Sequence, residues 1–383
     1  MIMPTKKLCL LVLALGLAGS AAVAGRLPLE VVRFPSSGRP LAVRLDWGLK
    51  EAAGRGYRTG FWEGYSIRRL MGESSSIGTI FCGAVDEPTL EEVISGNRKE
   101  FPALSARAAA RGEARRVLDG LDRKGEPEKK VWKDVAVLIR YDGADRGPAS
   151  CVEMSSLDLP FDFKGLPLVW LGSAEDAESL AWLKTVLAGS RSEEAKKHVL
   201  AAVGMHQSTD LVIPILEAAL TSREPDSLRK EAAFWIGQQN DPRACAILLR
   251  TAQTDRCLEV RKHAVFALSQ VELEASVDGL IAVARTADNR EVRKEAVFWL
   301  SEKASKKSLA AIEDLVYHDE ETSIQEQALF ALSELPNGEG VSPLIKVAKS
   351  HPNPHVRKKA IFWLGECGDS RAIEALVEIA RKG

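Results

Sequence analysis

The sequence predicts a mainly α protein, an α-solenoid of about six helical hairpins preceded by a small α+β module. Three observations predict it. A ten-residue pattern starts at Leu228 (LRKEAAFWIG) and returns every 32 residues, at Val260 (VRKHAVFALS), Val292 (VRKEAVFWLS), Ile324 (IQEQALFALS) and Val356 (VRKKAIFWLG). A looser copy starts 33 residues earlier, at Ala195 (AKKHVLAAVG). The chain ahead of these copies does not repeat and holds short β-type runs. Self-similarity at such a period marks stacked supersecondary units, each burying its apolar face against its neighbours.

Within each copy the apolar residues follow helical spacing. Val292, Ala296, Trp299 and Leu300 fall at i, i+4, i+7 and i+8 and share one face. Second helices follow over Pro242–Ala252, Ser276–Arg285, Ser308–Tyr317, Ser342–Lys349 and Arg371–Arg381. Turn residues separate the helices, among them Asn240-Asp241-Pro242, Pro336-Asn337-Gly338 and Pro352-Asn353-Pro354. Arg285, Lys349 and Arg381, near second-helix ends, suit the negative pole of the helix dipole. The segment Ala174–Leu187 reads as a second helix without its first, a cap on the stack.

The string V-R-K-x-A-x-x-x-L-[GS] resembles the first helix of HEAT repeats, most of all the short bacterial PBS-lyase HEAT-like form. The resemblance covers 173–383. It implies an α-solenoid and no particular activity, because such repeats serve many unrelated proteins. The copy at Ile324 departs from it, with Gln325 and Glu326 where the others carry Arg and Lys.

Two rows of residues recur through the copies. The motif arginines Arg229, Arg261, Arg293 and Arg357 form a basic row with their neighbouring lysines. Acids just upstream (Asp226, Glu259, Asp288, Glu291, Glu320) offer internal partners, and an acidic binding partner is the alternative. Phe234, Phe266, Phe298, Phe330 and Phe362 form the second row, more than a third of a turn from the Val/Ala/Leu face. Alternate copies add Trp235, Trp299 and Trp363. This row packs between repeats or presents an aromatic ridge to a partner.

The N-terminus reads separately. Lys6 and Lys7 precede an apolar run from Leu8 to about Leu17, and Ala22-Val23-Ala24 gives a small-residue cleavage site before Gly25. This is the pattern of a secretory signal peptide, 1–24. Its removal takes two lysines and moves the formal charge from −1 to −3. Export places the protein in the periplasm or outside the cell, where disulfides form. Cys82 and Cys151 both lie outside the array and are the expected pair. No integral membrane segment is expected after cleavage.

The α+β module spans 25–172 and the array 173–383. Strands are expected over Gly60–Ile67, Val135–Tyr141, Cys151–Ser155 and Leu168–Leu171, and a helix over Ala103–Leu121. Residues 98–133 carry eleven Lys/Arg against six Asp/Glu. That excess is modest for a nucleic-acid footprint, and with a near-neutral chain no nucleic-acid partner is expected.

Chemistry is not legible. His198, His206, His263, His318, His351 and His355 show no metalloprotease spacing, and phosphate-loop, dinucleotide and nucleophile-elbow motifs are absent from the sequence. Neither a cofactor nor a metal is expected. The reading is a non-catalytic scaffold or adaptor that binds a protein partner, with the second helices offering the variable surface. The alternative is an enzyme, or enzyme subunit, with its site in the α+β module.

Overall fold

The computed structural model describes residues 28, 30–35, 38–73, 75–77, 88–96, 129–143 and 149–382. The signal peptide, Cys82 and the helix expected over Ala103–Leu121 lie outside the described residues. The chain divides into two compact units, 1–212 and 213–383.

The first unit is built on a five-stranded sheet in the order β1-β5-β2-β3-β4. Its strands are β1 (Val31–Arg33), β2 (Phe61–Gly72), β3 (Lys130–Tyr141), β4 (Cys151–Ser156) and β5 (Leu168–Ser173). The pairs β2/β3 and β3/β4 are antiparallel, while β5 runs parallel to both β1 and β2. From Phe61 to Ile67 strand β2 is buried on both faces. Alternation sends Trp62 to one face, where it joins Leu90, Ala136, Leu138, Phe163, Leu168 and Trp170 in a core. Phe61, Glu63, Tyr65 and Ile67 take the other face.

That second face is covered by helices. They are α1 (Leu41–Gly54), α3 (Asp176–Gly189) and α4 (Glu193–Gly204), while the short α2 (Leu90–Ser95) supplies Leu90 to the first core. Both β2 and β3 run longer than the apolar pattern predicts, pairing out to Gly72 and Lys130. The extension mixes Arg68, Arg69, Lys130, Lys133 and Asp134 with Leu70, Met71, Val131 and Trp132, so no continuous apolar run marks it. There Trp132 is 54% exposed, with the Arg68 guanidinium 5.5 Å from its ring centre.

Helix α5 (Thr209–Leu220) leads into five hairpins. Their first helices are α6 (Asp226–Gly237), α8 (Leu258–Gln270), α10 (Arg290–Lys303), α12 (Thr322–Ser333) and α14 (Pro354–Glu366). Their second helices are α7 (Pro242–Thr254), α9 (Glu274–Thr286), α11 (Lys306–His318), α13 (Val341–Ser350) and α15 (Ser370–Lys382). Each first helix packs on the next first helix and on its own second helix. This is the predicted α-solenoid, with helices within about two residues of the expected ends.

The motif residues show why the units stack. Val260, Ala264 and Leu268 are fully buried, as are Val292, Ala296 and Leu300, and Ile324 and Ala328. Each such Val, Leu or Ile contributes about 1.5–3 kcal/mol by leaving water. A Cβ on Gly237 would lie 2.5 Å from the Ala267 carbonyl oxygen, so α6 meets α8 at a distance only glycine permits. Two of the expected turn residues, Asp241 and Asn353, act as caps, as do Asn289 and Ser305; each accepts a backbone N–H of the helix that follows.

Candidate functional site

The motif arginines point into the stack. Arg229 has a side chain only 1% exposed and bonds Asp226 in its own first turn and Asp255 in the loop before α8. Arg261 reaches forward to Asp288, before α10, and its Nε donates to the Ala252 carbonyl at 2.9 Å. Arg293 reaches forward to Asp319 and, at 3.1 Å, to Glu321, while its Nε donates to the Ala284 carbonyl at 2.8 Å. The Arg261 guanidinium holds the Asp288 carboxyl below its ordinary range. Each rung thus joins one repeat to the loop that opens the next.

Of the acids just upstream, Asp226 bonds the arginine of its own helix. Glu259 and Glu291 instead lie near Lys262 (3.9 Å) and Lys294 (3.4 Å). The rung pattern lapses once, at Gln325. Arginine and forward acid stand 26 or 27 residues apart in the three intact rungs, and 26 residues beyond Gln325 is His351. Both halves of the pair are therefore replaced together. Gln325 donates to the Asp319 carbonyl at 3.0 Å, and His351 Nε2 sits 3.0 Å from the Val316 carbonyl. Arg357 donates to the carbonyls of His351 (2.6 Å) and Pro352 (3.1 Å).

The phenylalanines lie on the solvent side of the first helices. Phe234, Phe266, Phe298 and Phe330 are half-buried and Phe362 is 53% exposed. Their rings form two runs. Trp235, Phe234, Phe266, Trp299 and Phe298 follow one another at centroid distances of 5.3, 6.5, 5.1 and 5.0 Å. Phe330, Trp363 and Phe362 make the second run at 5.2 and 5.0 Å. Among the described residues no close ring pair joins Phe298 to Phe330. Glu231 and Glu295 accept the indole N–H groups of Trp235 and Trp299 at 2.7 and 2.9 Å, which fixes those rings.

The second helices present a different face. Arg250 pairs with Glu217, Arg285 with Asp314 and Lys349 with Glu378, each at 2.5–2.9 Å between successive second helices. Lys307 likewise bonds Asp278. The surface expected to bind is thus knitted to itself by charge, with Ile373 and Val377 exposed on the last second helix.

In the first unit, packing brings together polar groups that are far apart in sequence. Cys151 on β4, whose expected partner Cys82 lies outside the described residues, has no disulfide among the described residues; its Sγ is 3.2 Å from His198 Nδ1 on α4, and His198 Nε2 lies 3.4 Å from Glu194. Burial, and then the Glu153 carboxylate 3.6 Å away, push this thiol up to about 12. A second group is linear. Tyr65 and Ser179 hydroxyls are 2.8 Å apart, Ser179 Oγ is 2.8 Å from His206 Nε2, and His206 Nδ1 is 2.7 Å from the Ala202 carbonyl. With Nδ1–H donating to that carbonyl, Nε2 accepts from Ser179, which accepts from Tyr65. Burial holds His206 below its ordinary range, hence neutral.

The third is Glu63, with no exposure, in the core of β2. The Tyr141 hydroxyl donates to its Oε2 at 3.2 Å, whereas Oε1 is buried without a partner. A Cβ on Gly48 of α1 would stand 2.0 Å from Oε1, so glycine makes the room for this carboxyl. Burial raises its pKa well above the ordinary carboxylate value.

Residues 213–301 and 309–383 match the family model for HEAT repeats. The array is a HEAT-repeat solenoid. No curated protein matches the chain in sequence. Among solved structures the chain is similar to human deoxyhypusine hydroxylase in complex with glycerol, at 20% identity over 53% of this chain and 78% of that one, with a TM-score of 0.24. It is also similar to the complex of CpcE and CpcF of phycocyanin lyase from Nostoc, at 19% identity over 52% and 79%, with a TM-score of 0.30. A third is Kap95p with RanGDP, at 14% identity over 54% and 30%, with a TM-score of 0.34. None of these likenesses says what this chain binds or does.

The HEAT array holds its motif arginines and several second-helix charges in internal bonds and leaves the phenylalanine row partly exposed, with Trp235 buried. Among the described residues no cluster of three or more His, Cys, Asp or Glu could hold a metal ion, and no helix is long and apolar enough to cross a membrane. Sequence reasoning missed the meeting of Cys151 with His198, residues 47 apart that are joined by the packing of α4 on β4. It also missed Glu63, whose signal was a lone acid inside the apolar run GFWEGYSI.

Proposed function

We propose that this chain is an exported scaffold or adaptor that binds a protein partner through the first-helix face of its HEAT array. The partly exposed phenylalanine row, which ends in the 53% exposed Phe362, carries this reading. Rings of this kind in the surface of a repeat stack supply contact area at little entropic cost, as aromatic anchors do in interfaces. The self-paired second helices offer less. Export rests on the leader, so the mature chain begins at Gly25 and works in the periplasm or outside the cell. A photoreactive residue placed at Phe298 in the exported protein should crosslink one protein partner, and one placed at Lys306 should not. Products from Lys306 alone would move binding to the second helices, and products from neither position would remove the scaffold reading. N-terminal sequencing of the recovered bait should start at Gly25.

The enzyme alternative has one observation in its favour, the Cys151, His198 and Glu194 set. Thiol, base and orienting carboxylate in contact is the arrangement of an activated nucleophile. Here burial and Glu153 oppose the thiolate, so Cys151 is held as a thiol. At pH 8 it should react with iodoacetamide more slowly than Cys367, and His198→Ala should not slow it further. Fast alkylation of Cys151 that depends on His198 would favour the enzyme.

A further inference from the structure

We propose that the ring run on α6, α8 and α10, from Phe234 to Phe298, binds an extended acidic segment of a partner protein with interspersed apolar side chains. The inference rests on the scaffold reading above and adds the partner's chemistry.

Charge is the first argument. Lys230, Lys262 and Lys294 precede Phe234, Phe266 and Phe298 by four residues, so each lysine sits one helical turn from its ring on the same face. Unlike the arginines beside them, these lysines are not locked into the stack. Lys262 and Lys294 have one carboxylate each, at 3.9 and 3.4 Å, on their own helices and well exposed. Such pairs are worth roughly 0–1 kcal/mol and yield easily to a competing carboxylate. The surface is a row of rings edged by a row of cations, with the two carboxylates on the run, Glu231 and Glu295, engaged by the Trp235 and Trp299 indoles.

The limits of the two rows coincide. The ring run ends at Phe298, and the lysine row ends at Lys294, because the next copy carries Glu326 at that position, bonded to His355. Both features stop after the same three helices, which gives the site a length. Successive helices present rings 6.5 Å (Phe234 to Phe266) and 5.1 Å (Phe266 to Trp299) apart, so the run is a continuous apolar strip. Apolar side chains of an extended segment lie along that strip. Acidic residues between them meet the lysines.

The test uses the full chain and a fluorescein-labelled nonapeptide with leucine at its second, fifth and eighth positions and alternating glutamate and proline elsewhere. Fluorescence polarisation should show saturable binding that weakens as salt rises from about 0.05 to about 0.5 M. The triple variant Lys230→Glu, Lys262→Glu, Lys294→Glu, and separately Phe266→Ala, should each weaken it about tenfold or more. Circular dichroism of the lysine variant should match the parent, since those side chains hold no rung. Unchanged affinity in the lysine variant, or no binding at all, overturns the inference. Equal binding of a peptide with lysine for glutamate, lost in Phe266→Ala, overturns the acidic partner but leaves the aromatic face as the binding surface. Crosslinks from Phe298 decide the scaffold reading independently.

Discussion

Replacing Arg229 with alanine is expected to lower the stability of the HEAT array by about 3 kcal/mol, near the low end for breaking a buried ion pair. The loss comes from what the arginine leaves behind. Asp255 is only 10% exposed, and without the guanidinium its Oδ2 faces the interior of the stack as an uncompensated charge. Its Oδ1 keeps the Cys257 N–H at 2.8 Å, which is why the low end applies. Arg357→Ala removes bonds to backbone carbonyls alone and should cost about 1 kcal/mol. Urea unfolding followed by circular dichroism measures both. In a double-mutant cycle Asp255→Ala should recover part of the Arg229→Ala loss. Costs of the two arginine variants that do not differ would show that the forward rung contributes nothing beyond packing.

Raising the pH should destabilise the first unit, and Glu63→Gln should abolish that dependence. The folded chain holds Glu63 protonated well above 4.5, the ordinary value at which the unfolded chain releases the proton. Through that window the native state carries the extra proton, so stability is full below about 4.5 and falls as pH rises toward the folded pKa. The slope approaches about 1.4 kcal/mol per pH unit for one proton. His206 acts in the opposite sense. Its lowered pKa makes the unfolded state the better proton binder, so its contribution is lost as pH falls below 6.5. Comparing parent and Glu63→Gln at each pH cancels that term. The amide still accepts from Tyr141, and its unpaired N–H group shifts the whole curve without changing its slope. Parallel melting-temperature curves for the two proteins from pH 5 to 8 would show that Glu63 does not carry the proton.

The array was legible because its information is local and said five times over. Helical periodicity, turn residues and the 32-residue interval located the helices of the hairpins, and one miscopied motif could not hide the pattern. The first unit says everything once. Helix α1 went unread although Leu41, Leu45, Gly48 and Ala52 line its buried face, because a glycine and Arg44 interrupt the apolar stripe. In the outer half of the β2/β3 pair, charged residues break up Leu70, Met71, Val131 and Trp132, so no continuous apolar run marked it. The arginine row was legible as a row, but the acids that answer it come mostly from one repeat ahead. Sequence neighbours suggested Glu259, Asp288 and Glu291; the turn of the stack gave Asp288 to Arg261 of the preceding copy and supplied Asp319, which no neighbour suggested. Which rings stand open to solvent depends on how neighbouring helices cover one another, and no spacing within a single helix encodes that.

The forward reach of the arginines also gives the array a direction and a weakest link under load. Tension along the stack would pass through the rungs in series, each tying one hairpin to the loop that opens the next. At Gln325 and His351 a neutral amide and an imidazole replace the ion pair, and both bond to nearby backbone rather than to each other. Pulled from its two ends, the solenoid should part at that joint first, releasing its last hairpin while the earlier three rungs still hold.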